Sequence, residues 1–410
     1  MTRKVPSIRY EFRLLLLLSL TNGVVALERL SASFLSPFLV ADFGLTNTQL
    51  GLLAAALSGA VAVSATLFGS FADRDGRKKS ILLIATIGFS LIAGLPALVT
   101  GFIGLLFVRM LLGIAEGPVV PLSQSMMAQV SDPRRRGLNM GLLQMAGAYL
   151  IGGMAGPVLA TYIATDHGWR MAFTASVIPG LVMALALWLF VKPDDRGKVA
   201  VMPDQPKPPH APMLSLLKIR NIRLCVIIAG LFAAWATVQN VFLPVYLVSE
   251  RGMSPTTMGW VIAAGGLAGL LGGFGVPALS DWVGRKPVMV VCGALMLFAP
   301  AAILWLPANP VAMSLAVLIG WLVMGMAPMY IGVIPTESVP PHLTASAIGL
   351  ATAAGEVFGG VLAPFGAGAL ADSQGLSAPF LLCLGLAAAC AMATLFLQES
   401  APRLVDRDRV

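Results

Sequence analysis

Charge is the scarcest property of this 410-residue chain: Asp, Glu, Lys and Arg make up 11% of it, against 57% hydrophobic residues. Soluble domains carry roughly 25% charged residues. A surface this poor in charge cannot face water, so most of it must face lipid, and a soluble enzyme is not expected. Histidine is down to three residues, His167, His210 and His342, all in loops or at the ends of apolar runs. Any proton carrier inside the membrane must therefore be a carboxylate. The four cysteines, Cys225, Cys292, Cys383 and Cys390, have neither metal-ligand spacing nor the pattern of a disulfide framework. No Walker motif is present, and glycine clusters such as Gly265-Gly266 and Gly359-Gly360 follow no strand, which excludes a nucleotide site. No cofactor or metal is expected. What is abundant is Gly (43) and Pro (28), both of which membrane helices tolerate.

A bilayer-spanning helix needs about 20 mostly apolar residues. Twelve such runs occur, at roughly 13–41, 48–72, 79–100, 102–130, 136–165, 169–191, 221–249, 256–280, 286–307, 310–338, 343–372 and 376–397. The basic segment Met1 to Arg13 precedes a run too long and too marked by Glu and Arg for a cleaved signal, so it reads as the first span. One linker is long. Residues 192–220 are polar and Pro-rich, and they divide the chain into halves 1–191 and 221–410. With a cytoplasmic amino terminus, 23 of the 27 basic residues fall on that side. Arg170 and Arg251 lie outside, and Arg29 and Arg109 within spans. The net charge of +8 is then a topology signal and a contact with anionic lipid, not a nucleic-acid footprint. Both termini are expected in the cytoplasm, with the chain in a bacterial inner membrane.

The halves repeat. At a constant offset of 208, Gly44, Thr48, Gly51, Asp73, Gly76, Arg77 and Lys78 fall on Gly252, Thr256, Gly259, Asp281, Gly284, Arg285 and Lys286. Gly147 and Gly152 fall on Gly355 and Gly360. This predicts an all-α membrane protein of twelve helices in two pseudo-symmetric six-helix halves, an architecture of transporters.

The turn between spans 2 and 3 reads Asp73-Arg74-Asp75-Gly76-Arg77-Lys78, led by Gly69, with a worn copy at Asp281-Trp282-Val283-Gly284-Arg285-Lys286. Gly76 suits a tight turn, and Arg77 and Lys78 suit anionic lipid. An exposed carboxylate at Asp73 can pair with cationic groups or a helix amino terminus. This loop resembles the signature G-x-x-x-D-R-x-G-R-K/R of the major facilitator superfamily. The resemblance covers the whole chain and implies the major facilitator fold, with spans 1, 4, 7 and 10 lining a central path and the signature loops acting as gates.

Ionisable side chains at membrane depth are costly and are functional candidates by default. They are Glu28 and Arg29 in span 1, Arg109 and Glu116 in span 4, and Glu356 in span 11. Arg109 and Glu116 are seven apart, so they share a helix face about 10 Å apart along the axis. Glu28 and Arg29 diverge by about 100°, so one is expected to face span 4 and the other the cavity. An acid-Arg pair in span 1 with R-x-L-L-G-x-x-E-G from Arg109 to Gly117 resembles the anion:cation symporter branch of that superfamily. That resemblance implies proton-coupled uptake of an organic carboxylate. It makes Glu28 and Glu116 proton carriers, Arg29 the anion binder and Arg109 the partner of Glu116. The branch usually has Asp where Glu28 stands and Asn near Glu356, so Glu356 is either a third proton site or a contact for an amine. Arg109 also fits the superfamily pattern L-x-x-x-R-x-x-x-G, in which the Arg can be structural. A self-neutralising pair is the lesser alternative for Glu28–Arg29, and Glu337 reads as a helix-end or gating residue. Gln144, Gln239 and Asn240 are candidate substrate contacts, although buried amides often only join helices.

The competing functions are a drug:proton antiporter and a membrane-embedded sensor. Gly152, Gly156 and Pro157 match half of an antiporter motif in span 5, but Leu159-Ala160-Thr161 replaces its final pair. A sensor would need a soluble domain, and none is visible. The expected partners are a small organic anion, protons and membrane lipids, with the chain a monomer.

Overall fold

The computed structural model describes residues 8–75, 77–132, 135–192, 213–340 and 343–405, with the backbone alone at 68–75, 213, 345 and 405. Every regular element among them is helical. Among the described residues twelve helices are long and apolar enough to cross a membrane: α1 Ile8–Phe34, α2 Asn47–Leu67, α3 Lys78–Leu98, α4 Phe102–Val130, α5 Arg136–His167, α6 Trp169–Phe190, α7 Arg220–Ser249, α8 Pro255–Val283, α9 Arg285–Trp305, α10 Pro310–Ser338, α11 Ser346–Gln374 and α12 Ala378–Leu395. By contact the chain divides into two compact units, one of Met1–Leu45 with Ala56–Ala200, the other of Thr46–Ala55 with Val201–Val410.

Helix α1 starts five residues before the apolar run does. The reason is Glu11, which is buried in the first turn and accepts hydrogen bonds from Asn139 Nδ2 (2.6 Å), the Asp132 amide (3.1 Å) and Ser131 Oγ (3.2 Å). Several spans are not regular helices. Helix α4 loses its α geometry between Glu116 and Val119, where Pro118 has no N–H to donate. Helices α5 and α11 widen into π turns over Ala148–Ala155 and Gly355–Leu362, segments 207 residues apart and within one residue of the sequence repeat. Such π segments mark functional sites more often than ordinary helix.

Within the first unit, α1 packs against α5 and α6. Glycine sets the α1–α5 distance. A Cβ at Gly147 would sit 1.7 Å from the Ser19 carbonyl oxygen, and one at Gly23 2.6 Å from that of Gly147. Small residues allow this closeness in lipid, where packing rather than hydrophobicity joins helices. Asn22 Nδ2 adds a bond to the Leu143 carbonyl (3.2 Å). Overpacking of this kind costs about 1–3 kcal/mol or more, because the obstacle is backbone and cannot move aside. Gly147→Val is therefore expected to lower the melting temperature of the purified protein sharply. Gly385→Ala, with nothing within 4 Å, is the control and should leave it unchanged or raise it.

In the second unit α7 packs against α11 and α12, and α8 against α10. Asp372 of α11 accepts from the amides of Asn47 (2.8 Å) and Thr48 (2.9 Å) and from Thr48 Oγ1 (2.6 Å). A carboxylate there satisfies amides that the start of α2 cannot pair internally.

Candidate functional site

The first unit brings four of the predicted charges together. Glu28 and Arg29 project from the last two turns of α1, Arg109 and Glu116 from α4. Glu28, Arg109 and Glu116 are each at most 4% exposed. Arg29 keeps 37% of its side chain accessible. Position on the helix explains this: adjacent residues point about 100° apart, so one buries while its neighbour does not.

The pairing differs from the one the family resemblance implies. Glu116 Oε2 lies 3.5 Å from Arg29 Nε, not against the Arg109 fork. That separation gives charge attraction without a well-formed hydrogen bond. Arg109 instead grips the backbone of α1. Its Nη1 donates to the carbonyls of Glu28 (3.3 Å) and Arg29 (3.4 Å), and its Nη2 to Ser31 Oγ (3.4 Å). Ser31 Oγ in turn donates to the Glu28 carbonyl (2.7 Å). The physical reason is reach: a guanidinium carries five donors in a rigid fork, and carbonyls of the facing helix satisfy several at once. Glu28 Oε2 accepts from Ser176 Oγ of α6 (3.2 Å). Glu28 Oε1 and both oxygens of Glu116 are buried without a hydrogen-bond donor among the described residues. Carboxyl groups held this way can gain a proton without first breaking a strong bond.

Helix α4 is set tightly enough to hold its pair in place. Cβ atoms at Gly113 and Gly117 would meet Leu57 O and Ser64, each at 2.6 Å, and Ser64 Oγ donates to the Ile114 carbonyl (2.6 Å). The break after Glu116 follows directly.

The remaining predicted residues have surroundings of their own. Gln144 is exposed on α5. Gln239 is fully buried and committed to packing: its Nε2 donates to the Trp235 carbonyl (3.4 Å) and its Oε1 accepts from Trp321 Nε1 (3.3 Å). Asn240 on α7 and Glu356, in the widened part of α11, are half-buried. Of the signature loop, the side chains of Gly69, Asp73 and Arg74, and Gly76 altogether, lie outside the described residues. Arg77 is exposed just before α3, and Lys78 Nζ donates to Ser125 Oγ of α4. The second copy is fully described. Arg285 donates to Asp281 Oδ1 (2.5 Å), to Ser280 Oγ (2.7 Å) and to Glu337 Oε1 (2.9 Å). Gly284, at φ +114°, turns the chain, and the amides of Arg285 (2.8 Å) and Lys286 (3.1 Å) reach Glu399.

Ser31 and Ser176 are the contacts that sequence reasoning passes over. Serine is common in these spans, and nothing but the identity of the facing helix distinguishes these two.

Comparison with known proteins agrees with this architecture. The family model described as Major Facilitator Superfamily matches residues 18–364. The hexuronate transporter of Bacillus subtilis (strain 168) is 30% identical over 68% of this chain and 69% of its own. A probable 4-methylmuconolactone transporter of Cupriavidus pinatubonensis is 27% identical over 80% of this chain and 76% of its own. The crystal structure of a point mutant of the nucleoside transporter NupG superposes with a TM-score of 0.78 at 15% identity, covering 94% of this chain and 100% of that one. At that identity the superposition speaks for the fold alone.

Proposed function

The chain belongs to the Major Facilitator Superfamily, and on that footing we propose that it is a proton-coupled importer of a small organic carboxylate, working by alternating access. It is an integral, multi-pass membrane protein and a secondary transporter, not an enzyme. The observation that carries the finer reading is the half-exposed Arg29 beside the buried, donor-free carboxyl group of Glu116. Arg29 is the anion site in this reading. Glu116 and Glu28 are the proton sites, and Arg109 fixes the backbone that presents them. The named cargo of the Bacillus relative, a sugar acid, supports a carboxylate as substrate. The cytoplasmic bias of the basic residues supports cytoplasmic termini and a bacterial inner membrane.

The mechanism is a linkage. A carboxylate arriving at Arg29 competes with Glu116 for the guanidinium. Glu116 then loses its counter-charge in a buried site, where a bare carboxylate is costly, and takes up a proton. Proton and anion therefore bind better together than apart, and by the same factor in either order. Neither travels efficiently alone, which is what coupling requires.

Thermal-shift measurement of the purified protein against glucuronate, gallate, cis,cis-muconate and the lipophilic cation tetraphenylphosphonium tests the assignment. A bound carboxylate at 100 times its Kd stabilises by about 2.7 kcal/mol, so the melting temperature should climb with dose. The gain should be larger at acid than at alkaline pH. Stabilisation by the cation alone would point to drug export and sink the carboxylate reading.

A further inference from the structure

Ser176 faces Glu28 from α6, and its single hydroxyl proton cannot serve both of its contacts at the same time. Its Oγ lies 3.2 Å from Glu28 Oε2 and 2.8 Å from the carbonyl oxygen of Phe173. A serine hydroxyl has one proton and two lone pairs. It can donate to one of these oxygens at a time, so with Oγ fixed the proton has two settings.

Each setting suits one state of Glu28. When the carboxyl group is ionised, the Ser176 proton points at Oε2 and makes a charge-assisted bond. When Oε2 is protonated, the acid's own O–H donates to Ser176 Oγ, and the Ser176 proton turns to the Phe173 carbonyl. Both states are then hydrogen-bonded without movement of any heavy atom. No other side chain among the described residues hydrogen-bonds this carboxyl group. The charged groups facing it from α4 are Glu116 and Arg109. Arg109 directs its bonds at carbonyls and Ser31, while Arg29, on the same helix as Glu28, turns to Glu116.

We infer that Ser176 is the positioning residue for the Glu28 carboxyl group, its hydroxyl turning between Glu28 and the Phe173 carbonyl as the proton leaves and returns. This rests on the reading of Glu28 as a proton site.

Infrared difference spectra of the full-length protein in lipid, recorded as pH is stepped from acid to alkaline, test it without any substrate. The carbonyl-stretch band that vanishes in Glu28→Gln belongs to the protonated Glu28. In Ser176→Ala that band should move to higher wavenumber, because the acid has lost its hydrogen-bond partner. Ser176→Thr keeps the hydroxyl and should restore the wild-type position, while Ser176→Cys, with a weaker thiol, should fall between. An unshifted band in both Ser176→Ala and Ser176→Cys overturns the role of Ser176 and leaves Glu28 as a proton site. Absence of any Glu28-dependent band overturns the proton-site reading itself, and the inference with it. Should Ser176→Ala fail to fold, the Thr and Cys variants decide alone.

Discussion

Glu116→Gln is expected to end proton-driven accumulation while leaving exchange of substrate intact. Glutamine has the shape of the acid but holds no exchangeable charge. Neither Glu116 oxygen has a hydrogen-bond donor among the described residues, so the substitution breaks no hydrogen bond there. Arg29 loses its counter-charge 3.5 Å away and is freer to hold an anion. In proteoliposomes, a gradient of one pH unit supplies about 1.4 kcal/mol and so about tenfold accumulation through a carrier that moves one proton per anion. With labelled glucuronate as probe, the mutant's accumulation ratio should fall to one, whereas counterflow under equal pH should persist. Gradient-driven accumulation by the mutant at the wild-type level would remove Glu116 from the mechanism.

Arg29→Ala should be more severe, because it strikes binding and coupling together. Truncating one partner of a buried, hydrogen-bonded charge pair costs about 2–5 kcal/mol, and the half-exposed Arg29 belongs at the lower end of that range. That range corresponds to roughly 30-fold or more in affinity. Uptake, counterflow and carboxylate-induced thermal stabilisation should all disappear. Arg29→Lys should recover little, since an ammonium group is a point charge and lacks the planar fork that a carboxylate grips through two N–H groups. Full counterflow by Arg29→Ala would show that the anion binds elsewhere. The two variants separate cleanly: one should exchange without accumulating, the other should do neither.

The spans are legible in the sequence because lipid imposes a strict requirement on length and composition. Twelve apolar runs correspond to twelve helices among the described residues, and the long polar linker falls between the sixth and seventh runs. The cluster is legible as a set, since charge inside an apolar run is rare enough to stand out. Its wiring is not. Spacing along α4 shows that Arg109 and Glu116 share a face, but which groups α1 turns toward that face depends on the rotation and depth of a second helix. Local periodicity carries no information on that. Hence Glu116, for which the resemblance implies Arg109 as partner, lies instead beside Arg29, while Arg109 reaches for carbonyls that every residue supplies. Gln239 shows the same limit from the other side: an amide in a span signals a partner, and only the packing reveals that the partners are Trp235 and Trp321. Glu11 is hidden differently, in a basic segment ahead of the first apolar run that winds into the first turn of α1.

The four-charge cluster has an electrical consequence. Two guanidinium groups and two carboxylates sum to zero when all are ionised. One monocarboxylate with one proton on Glu116 leaves the sum at zero. Membrane voltage does work only on net charge that crosses the bilayer, about 2.3 kcal/mol per elementary charge per 100 mV. A carrier whose loaded and empty forms are both neutral in this region feels no such force from these groups in either direction. Its turnover would follow the pH gradient and ignore the potential. A dicarboxylate would upset the balance by one negative charge, unless a second proton settled on Glu28 to travel with it.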